Sequence, residues 1–247
     1  TNDSASIGLV SSSMWLFGEL LGAAAMGFTV QVTHLIGANR SNDARSVLRQ
    51  SLVCSMAFSL MLSVSGLLVC RPLPYWLGGT AEIASDASLY FAIVGVCGIF
   101  FQLEGLAGSM LKCSGNMKIP SMLNILMCVL DVLFNYLFIY VIGLGVMGAA
   151  LGTGIAELVT AALMLYFLLF RSSMLGLFSD DEKKKENSWD KFRPRADVVR
   201  NAFNIGAPMA LQHLLMGSAQ IVSTLIVAPL GTLAIAAHSL GITVESL

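Results

Sequence analysis

Six stretches of this chain are apolar over membrane-crossing length: 8–36, 51–70, 86–111, 120–142, 146–170 and 202–228, with a seventh begun near 232. A bilayer span needs about 20 such residues. No water reaches the hydrocarbon core, so every backbone group must be satisfied inside the segment, which leaves helices or a closed barrel. These runs are continuous and do not alternate, so they are read as helices. Only 12% of residues are charged, against about 25% in a soluble domain. The expected fold class is therefore all-α, a polytopic membrane bundle.

The breaks between runs have turn chemistry. Ile36-Gly-Ala-Asn-Arg-Ser ends the first and Arg71-Pro-Leu-Pro the second. Ser114-Gly-Asn-Met-Lys-Ile-Pro120 turns the third into the fourth, with Pro120 expected at the first helical position. The loops after runs one, three and five hold thirteen of the 14 Lys and Arg residues; Arg71 alone lies in the alternate loops. By the positive-inside rule the basic loops are cytoplasmic and Thr1 is external. The longest, 172–199, contains Asp180-Asp-Glu-Lys-Lys-Lys-Glu and reads as a solvated linker. A metal site on Asp180 and Asp181 is outweighed by the neutralising lysines beside them. Thr1-Asn-Asp-Ser is neither an initiator Met nor a signal peptide, and Thr243-Val-Glu-Ser-Leu247 stops inside an apolar run, so a chain cut at both ends is expected. A weak repeat (Thr1/Thr232, Ala5/Ala236, Leu9/Leu240) suggests that the unit restarts after residue 200.

The five Cys (54, 70, 97, 113, 128) lack paired spacing and are read as small core residues, not a disulfide framework or metal site. His34, His213 and His238 are scattered without metalloprotease spacing, and His34 is read as a cap or snorkelling residue at a span end. No basic, aromatic-interleaved patch suggests nucleic acid. Pro208 lies inside the sixth run, where it removes a helical hydrogen bond and makes a hinge or a static bend.

Polar groups inside the spans carry the functional signal. Asn124, Cys128, Asp131 and Asn135 are spaced 4, 3 and 4, which is one stripe down a helix. Thr153, Glu157 and Thr160 form another on the next helix. An ionised acid at mid-bilayer costs roughly 2.5 to 3.5 kcal/mol on insertion scales, and Asp131 has no Lys or Arg nearby in sequence. It must hold a proton, bind a cation or face a wet cavity. Interhelical hydrogen bonding is the bland alternative for Asp131, Asn135 and Thr153. Glu19, Glu104, Glu157 and Glu245 also lie within runs and are candidates for a solute or proton pathway.

Gly115-Asn-Met-Lys-Ile-Pro120, Leu130-Asp-Val-Leu-Phe-Asn-Tyr-Leu-Phe-Ile139, Gly143-Leu-Gly-Val-Met-Gly-Ala-Ala-Leu-Gly-Thr153 and Gly231-Thr-Leu-Ala-Ile-Ala-Ala-His238 together resemble multidrug and toxic compound extrusion (MATE) transporters. The resemblance implies twelve helices in two lobes around a central cleft, and exchange of Na+ or H+ for an exported organic solute. This chain would hold helices two to seven and the start of eight. Residues 1–171 would belong to the amino-terminal lobe, 172–199 to a cytoplasmic linker and 200–247 to the second lobe. The family's amino-lobe cation site maps onto Asp131, Asn135 and Thr153, with the acid and amide exchanged. A family acid of the seventh helix falls at Met216 and is absent; Glu245 would offer the second lobe an acid. No cofactor beyond the coupling ion is implied. The expected partners are a small organic, cationic solute and the bilayer, with a monomer favoured. A lipid-linked oligosaccharide flippase of related architecture and an integral-membrane enzyme are the rivals. The spans lack the basic residues a diphosphate would need, and the loops lack clustered acids or His for metal and phosphate.

Overall fold

The computed structural model describes residues 2–73, 81–172, 175 and 195–227, with side chains from Met14 onward except at 81–86, 217, 220–221 and 223–227. Six helices account for nearly all of them: α1 (Asn2–Gly37), α2 (Ser41–Val69), α3 (Ala81–Cys113), α4 (Lys118–Tyr136), α5 (Gly145–Tyr166) and α6 (Ala196–Val227). Both α4 and α5 run on into single π-helical turns, Leu137–Val141 and Phe167–Arg171. Five helices are long and apolar enough to cross a membrane among the described residues, namely α1 to α5 with their π-turns. The all-α membrane fold expected from the runs is what the chain forms.

The ends follow from local chemistry. After Gly37, Arg40 N–H donates to the Leu35 carbonyl at 2.9 Å and Asn39 adopts φ 56°, a left-handed C-terminal cap that Asn tolerates. At the turn between α3 and α4, Asn116 Oδ1 accepts from Ile119 N–H at 3.3 Å, tying down the start of α4. Because α4 begins at Lys118, Pro120 sits at its third position, not its first. The correction is small: all of the first-turn N–H groups lack helical partners, so proline costs nothing there. Between α4 and α5, Gly143 and Gly145 have φ of 78° and 53°, so the reversal is tighter than the whole Gly143–Gly148 stretch, and Gly148 is already helical.

α3 is the central helix, packed on α1, α2 and α5, and α1 in turn carries α2 and α6. α4 rests almost entirely on α5. Its other face, Met122, Ile125, Val129, Val132 and Tyr136, is exposed, as lipid-facing residues are in the absence of a bilayer. α2 shows the inside-out pattern of membrane packing. Ser51, Ser55, Ser59, Ser63 and Gly66 are buried while Met56, Leu60, Val64 and Leu68 are exposed. Ser63 Oγ donates to the Gly95 carbonyl of α3 at 2.7 Å, and Phe17 meets Phe91 edge to face at 6.0 Å.

The main core lies at the end of the bundle nearest the basic loops, where Phe28, Val32, Leu48, Leu106, Met110, Leu111, Met164 and Leu168 are buried together. Among the described residues, the opposite end has a small cluster, Ala87 and Phe91. The cysteines are free, as expected, but they are not core residues: four are half-buried and Cys128 is exposed. Cys128 points away because the stripe rotates slowly around α4, whose partner covers little more than one side.

Candidate functional site

The α4–α5 seam is made by missing side chains. A Cβ at Gly152 would fall on Asn135 Oδ1 and lie 3.0 Å from the Asn135 backbone nitrogen; one at Gly148 would lie 2.9 Å from the Phe138 carbonyl. This G-x-x-x-G face lets the two backbones touch. On the other side of α5, a Cβ at Gly154 would fall on Cys97 Sγ of α3. α5 is thus a thin septum between α3 and α4, and polar groups on all three helices come within electrostatic reach across it.

Asp131 Oδ1 and Asn135 Oδ1 are both buried atoms with no hydrogen-bond partner. Two acceptor oxygens one turn apart, aimed into an apolar seam without a donor, are an unusual arrangement, since buried polar atoms are nearly always paired. Thr153, between Gly152 and Gly154, is half-buried on α5. Glu157, one turn further on, is coupled electrostatically to Glu104 of α3 and to Asp131 of α4. Tyr90 of α3 feels both Asp131 and Glu157. Asn124, with its amide oriented to donate, places its nitrogen 3.2 Å from Glu104 Oε1 and 3.1 Å from the Pro120 carbonyl. Lys112 acts on Glu104 from the basic-loop end of α3.

The structure therefore brings Glu157 within electrostatic reach of Asp131 and Glu104 and sets Asn135 against Gly152, drawing on three helices; it shows no contact of Thr153 with them. Thr160 does not join them: it is fully buried and its hydroxyl donates to the Ala156 carbonyl of its own helix at 2.8 Å. Glu19 is elsewhere, on α1, where its carboxylate meets His213 Nδ1 of α6 at 2.5 Å. Glu245, His238 and Asp180–Asp181 lie outside the described residues. Among the described residues no three His, Cys, Asp or Glu side chains converge as a metal cluster. The donor set at the seam is instead carboxylate, amide and hydroxyl oxygen, the chemistry of hard cations.

Two participants escaped the sequence reading. Tyr90 belongs to a run read only as apolar, and nothing in its local sequence marks it. His213 was passed over as scattered; the signal that finds its partner is the small-residue spacing Ala23-x-x-x-Gly27 and Ala202-x-x-x-Gly206, which lets α1 and α6 pack closely.

Comparison with known proteins agrees with this architecture. A MatE family profile matches residues 1–137, more than half of the 247. The chain is similar to the probable multidrug resistance protein NorM of Thermotoga maritima, 24% identical over 98% of this chain and 50% of that protein. It is likewise similar to the multidrug export protein MepA of Staphylococcus saprophyticus, 24% identical over 96% of this chain and 51% of the relative. Among solved structures, a MOP superfamily transporter from Pyrococcus furiosus superposes with a TM-score of 0.85 at 21% identity, covering 98% of this chain and 52% of the other. An inward-facing MATE family transporter superposes with a TM-score of 0.78 over 88% of this chain and 48% of its own. The chain spans about half the length of the curated relatives it matches.

Proposed function

Since this chain belongs to the MatE family, a family of multi-pass cell-membrane proteins, we propose that it forms the coupling half of a secondary exporter of organic solutes. In this reading α1 to α5 are the amino-terminal lobe, residues 172–199 a cytoplasmic linker, and α6 the first helix of the second lobe. Na+ or H+ binds at Asp131, Asn135 and Thr153, and solute binds in the cleft between lobes. Export follows from alternating access: the ion favours one lobe arrangement and the solute the other, and coupling requires different affinities for the two. The basic loops face the cytoplasm, the exported solute is a small organic cation, and the working unit is a monomer.

The observation that carries the reading is the pair of unpartnered oxygens, Asp131 Oδ1 and Asn135 Oδ1. A carboxylate serving as interhelical glue would have a donor across the seam; Asp131 Oδ1 has none, and the neighbouring Asn135 amide oxygen meets Gly152, which offers none either. A cation or proton supplies what the seam lacks. Glu157 and Glu104 continue the acidic path from that point toward Lys112, two turns from Glu104 on α3. Together they favour cationic over anionic solutes in the adjoining cleft.

The test is dye or drug efflux from vesicles under imposed Na+ and pH gradients, with the full chain and its Asp131→Asn variant. Export driven by one of the two gradients, and lost in the variant, supports the reading. Equal export by both proteins under the same gradient sinks it.

A further inference from the structure

α1 and α6 are the two helices that join the proposed lobes, and they meet backbone to backbone. A Cβ at Gly27 would fall on the Ala202 carbonyl, and one at Gly206 would lie 3.1 Å from the Ala23 carbonyl oxygen. This contact binds the first part of α6. Two further ties reinforce it: Gln31 Nε2 donates to the Val198 carbonyl at 3.2 Å, and Arg195 N–H donates to Gln50 Oε1 of α2 at 2.9 Å.

Beyond Gly206 the character of α6 changes. Pro208 has no N–H for the Asn204 carbonyl, so the helix loses a hydrogen bond where the tight seam ends. Past it, Leu211, Leu214, Leu215 and Met216 are exposed. His213 is the residue that reaches back to α1, with Nδ1 2.5 Å from Glu19 Oε2. Both side chains remain partly accessible, 37% for His213 and 25% for Glu19. The first half of α6 is therefore fixed by packing, and among the described side chains beyond Pro208 the tie back to α1 is the Glu19–His213 contact.

We propose that Glu19 and His213 form an interlobe latch, closed in this arrangement, which parts once in each transport cycle as α6 bends at Pro208. The inference rests on the two-lobe reading above and adds a gate to it. Glu19 lies 18 residues from the end of α1 and His213 lies 17 from the start of α6. At 1.5 Å per residue each is about 26 Å from the basic-loop end. The pair therefore sits near the middle of both spans, 8–36 and 202–228, just beyond the packed seam on the basic-loop side, and its parting opens the outer half of the cleft.

Glu19→His supplies the test. With the native His213 it creates two facing imidazoles, a chelate for Zn2+. The full chain is reconstituted in liposomes with a single cysteine in place of Met216, and thiol labelling from the outside is followed beside solute export. Zn2+ is expected to slow both labelling and export of Glu19→His by about tenfold or more, since the chelate holds the closed state. A chelator should restore them, and Glu19→His combined with His213→Gln should be insensitive. Unchanged labelling of Glu19→His in zinc, or equal zinc sensitivity after His213→Gln, overturns the latch. Labelling needs no transported solute. Zinc-controlled labelling without export under any gradient would uphold the latch and remove the ion-coupled exporter.

Discussion

The α4–α5 and α1–α6 seams are built alike and furnished differently. Each is a place where glycine lets two backbones touch, Gly152 on Asn135 in one and Gly27 on Ala202 in the other. In the α1–α6 seam the polar groups named above have found partners, Glu19 with His213 and Gln31 with Val198, and at its margin Gln50 of α2 holds Arg195. In the α4–α5 seam Asp131 and Asn135 each present an oxygen to nothing. Close packing is thus compatible with both outcomes. What separates a joint from a binding site is whether the polar atoms brought into it are satisfied by the protein itself.

The shared feature predicts the largest effect. Gly27→Val and Gly152→Val each force a side chain into backbone, so overpacking should cost about 1–3 kcal/mol or more in each seam. Loss of monodisperse protein, or a sharply lower melting temperature in detergent, is the expected readout. Gly22→Ala, with open space around it, should instead gain about 0.5–1 kcal/mol from helix propensity. If Gly152→Val folded as well as Gly22→Ala, the α4–α5 contact would not be the close seam described.

The furnishing predicts the next effect, with opposite signs in the two seams. Asp131→Asn removes an acid whose membrane insertion costs roughly 2.5 to 3.5 kcal/mol, so the variant should melt no lower than the parent. Its ion-driven export should nevertheless fall by about ten- to a hundredfold, as befits a lost charged ligand worth roughly 1.5–3 kcal/mol. Glu19→Gln should lower the melting temperature while retaining ion binding at the other seam. A destabilised Asp131→Asn alongside a stable Glu19→Gln would reverse the comparison.

A smaller effect concerns Glu157 of α5 and Glu104 of α3, which are coupled electrostatically. Their Glu→Gln changes should be non-additive in apparent ion affinity, with a coupling of about 0.5–3 kcal/mol in a double-mutant cycle. Strict additivity would place the two acids in separate environments and shorten the acidic path to Asp131 and Glu157.

Most of the bundle was written in the run lengths. Five membrane-length helices and the turns at Asn39, Gly115 and Gly143 follow from apolar length and from Gly and Asn at the breaks. The alignment of Asp131 and Asn135 along α4 and its packing on α5 at Gly152 was legible for a different reason: a 3.6-residue period aligns groups along one helix, and adjacent hairpin helices must pack. Tyr90 and Glu104 joining that group was not legible, because the close packing of α3 on α5, as at Gly154 against Cys97 and Gly108 against Met164, is a tertiary fact with no local trace. Glu19 and His213 lie 194 positions apart, and their pairing depends on α6 crossing α1 at Gly27. The exposure of Cys128 was missed because a perfect stripe on paper drifts off a single neighbouring helix in space.

The smallest effect tests the well-satisfied seam at its margin. Gln50 is almost fully buried on α2 and its Oε1 takes the Arg195 N–H at 2.9 Å, just before α6 begins. Gln50→Ala removes that acceptor, and a typical hydrogen bond contributes about 0.5–1.5 kcal/mol net. Arg195 is exposed, so water can take the freed N–H and the loss should sit at the lower end of that range. Export should be unchanged, since the first half of α6 remains held by Gly27 on Ala202 and by Gln31 on Val198. A melting temperature lowered by a few degrees with normal export is the expected result. Normal stability with impaired export would show that the strap at Arg195 moves during the cycle, and the fixed half of α6 would then have to begin at Val198 instead.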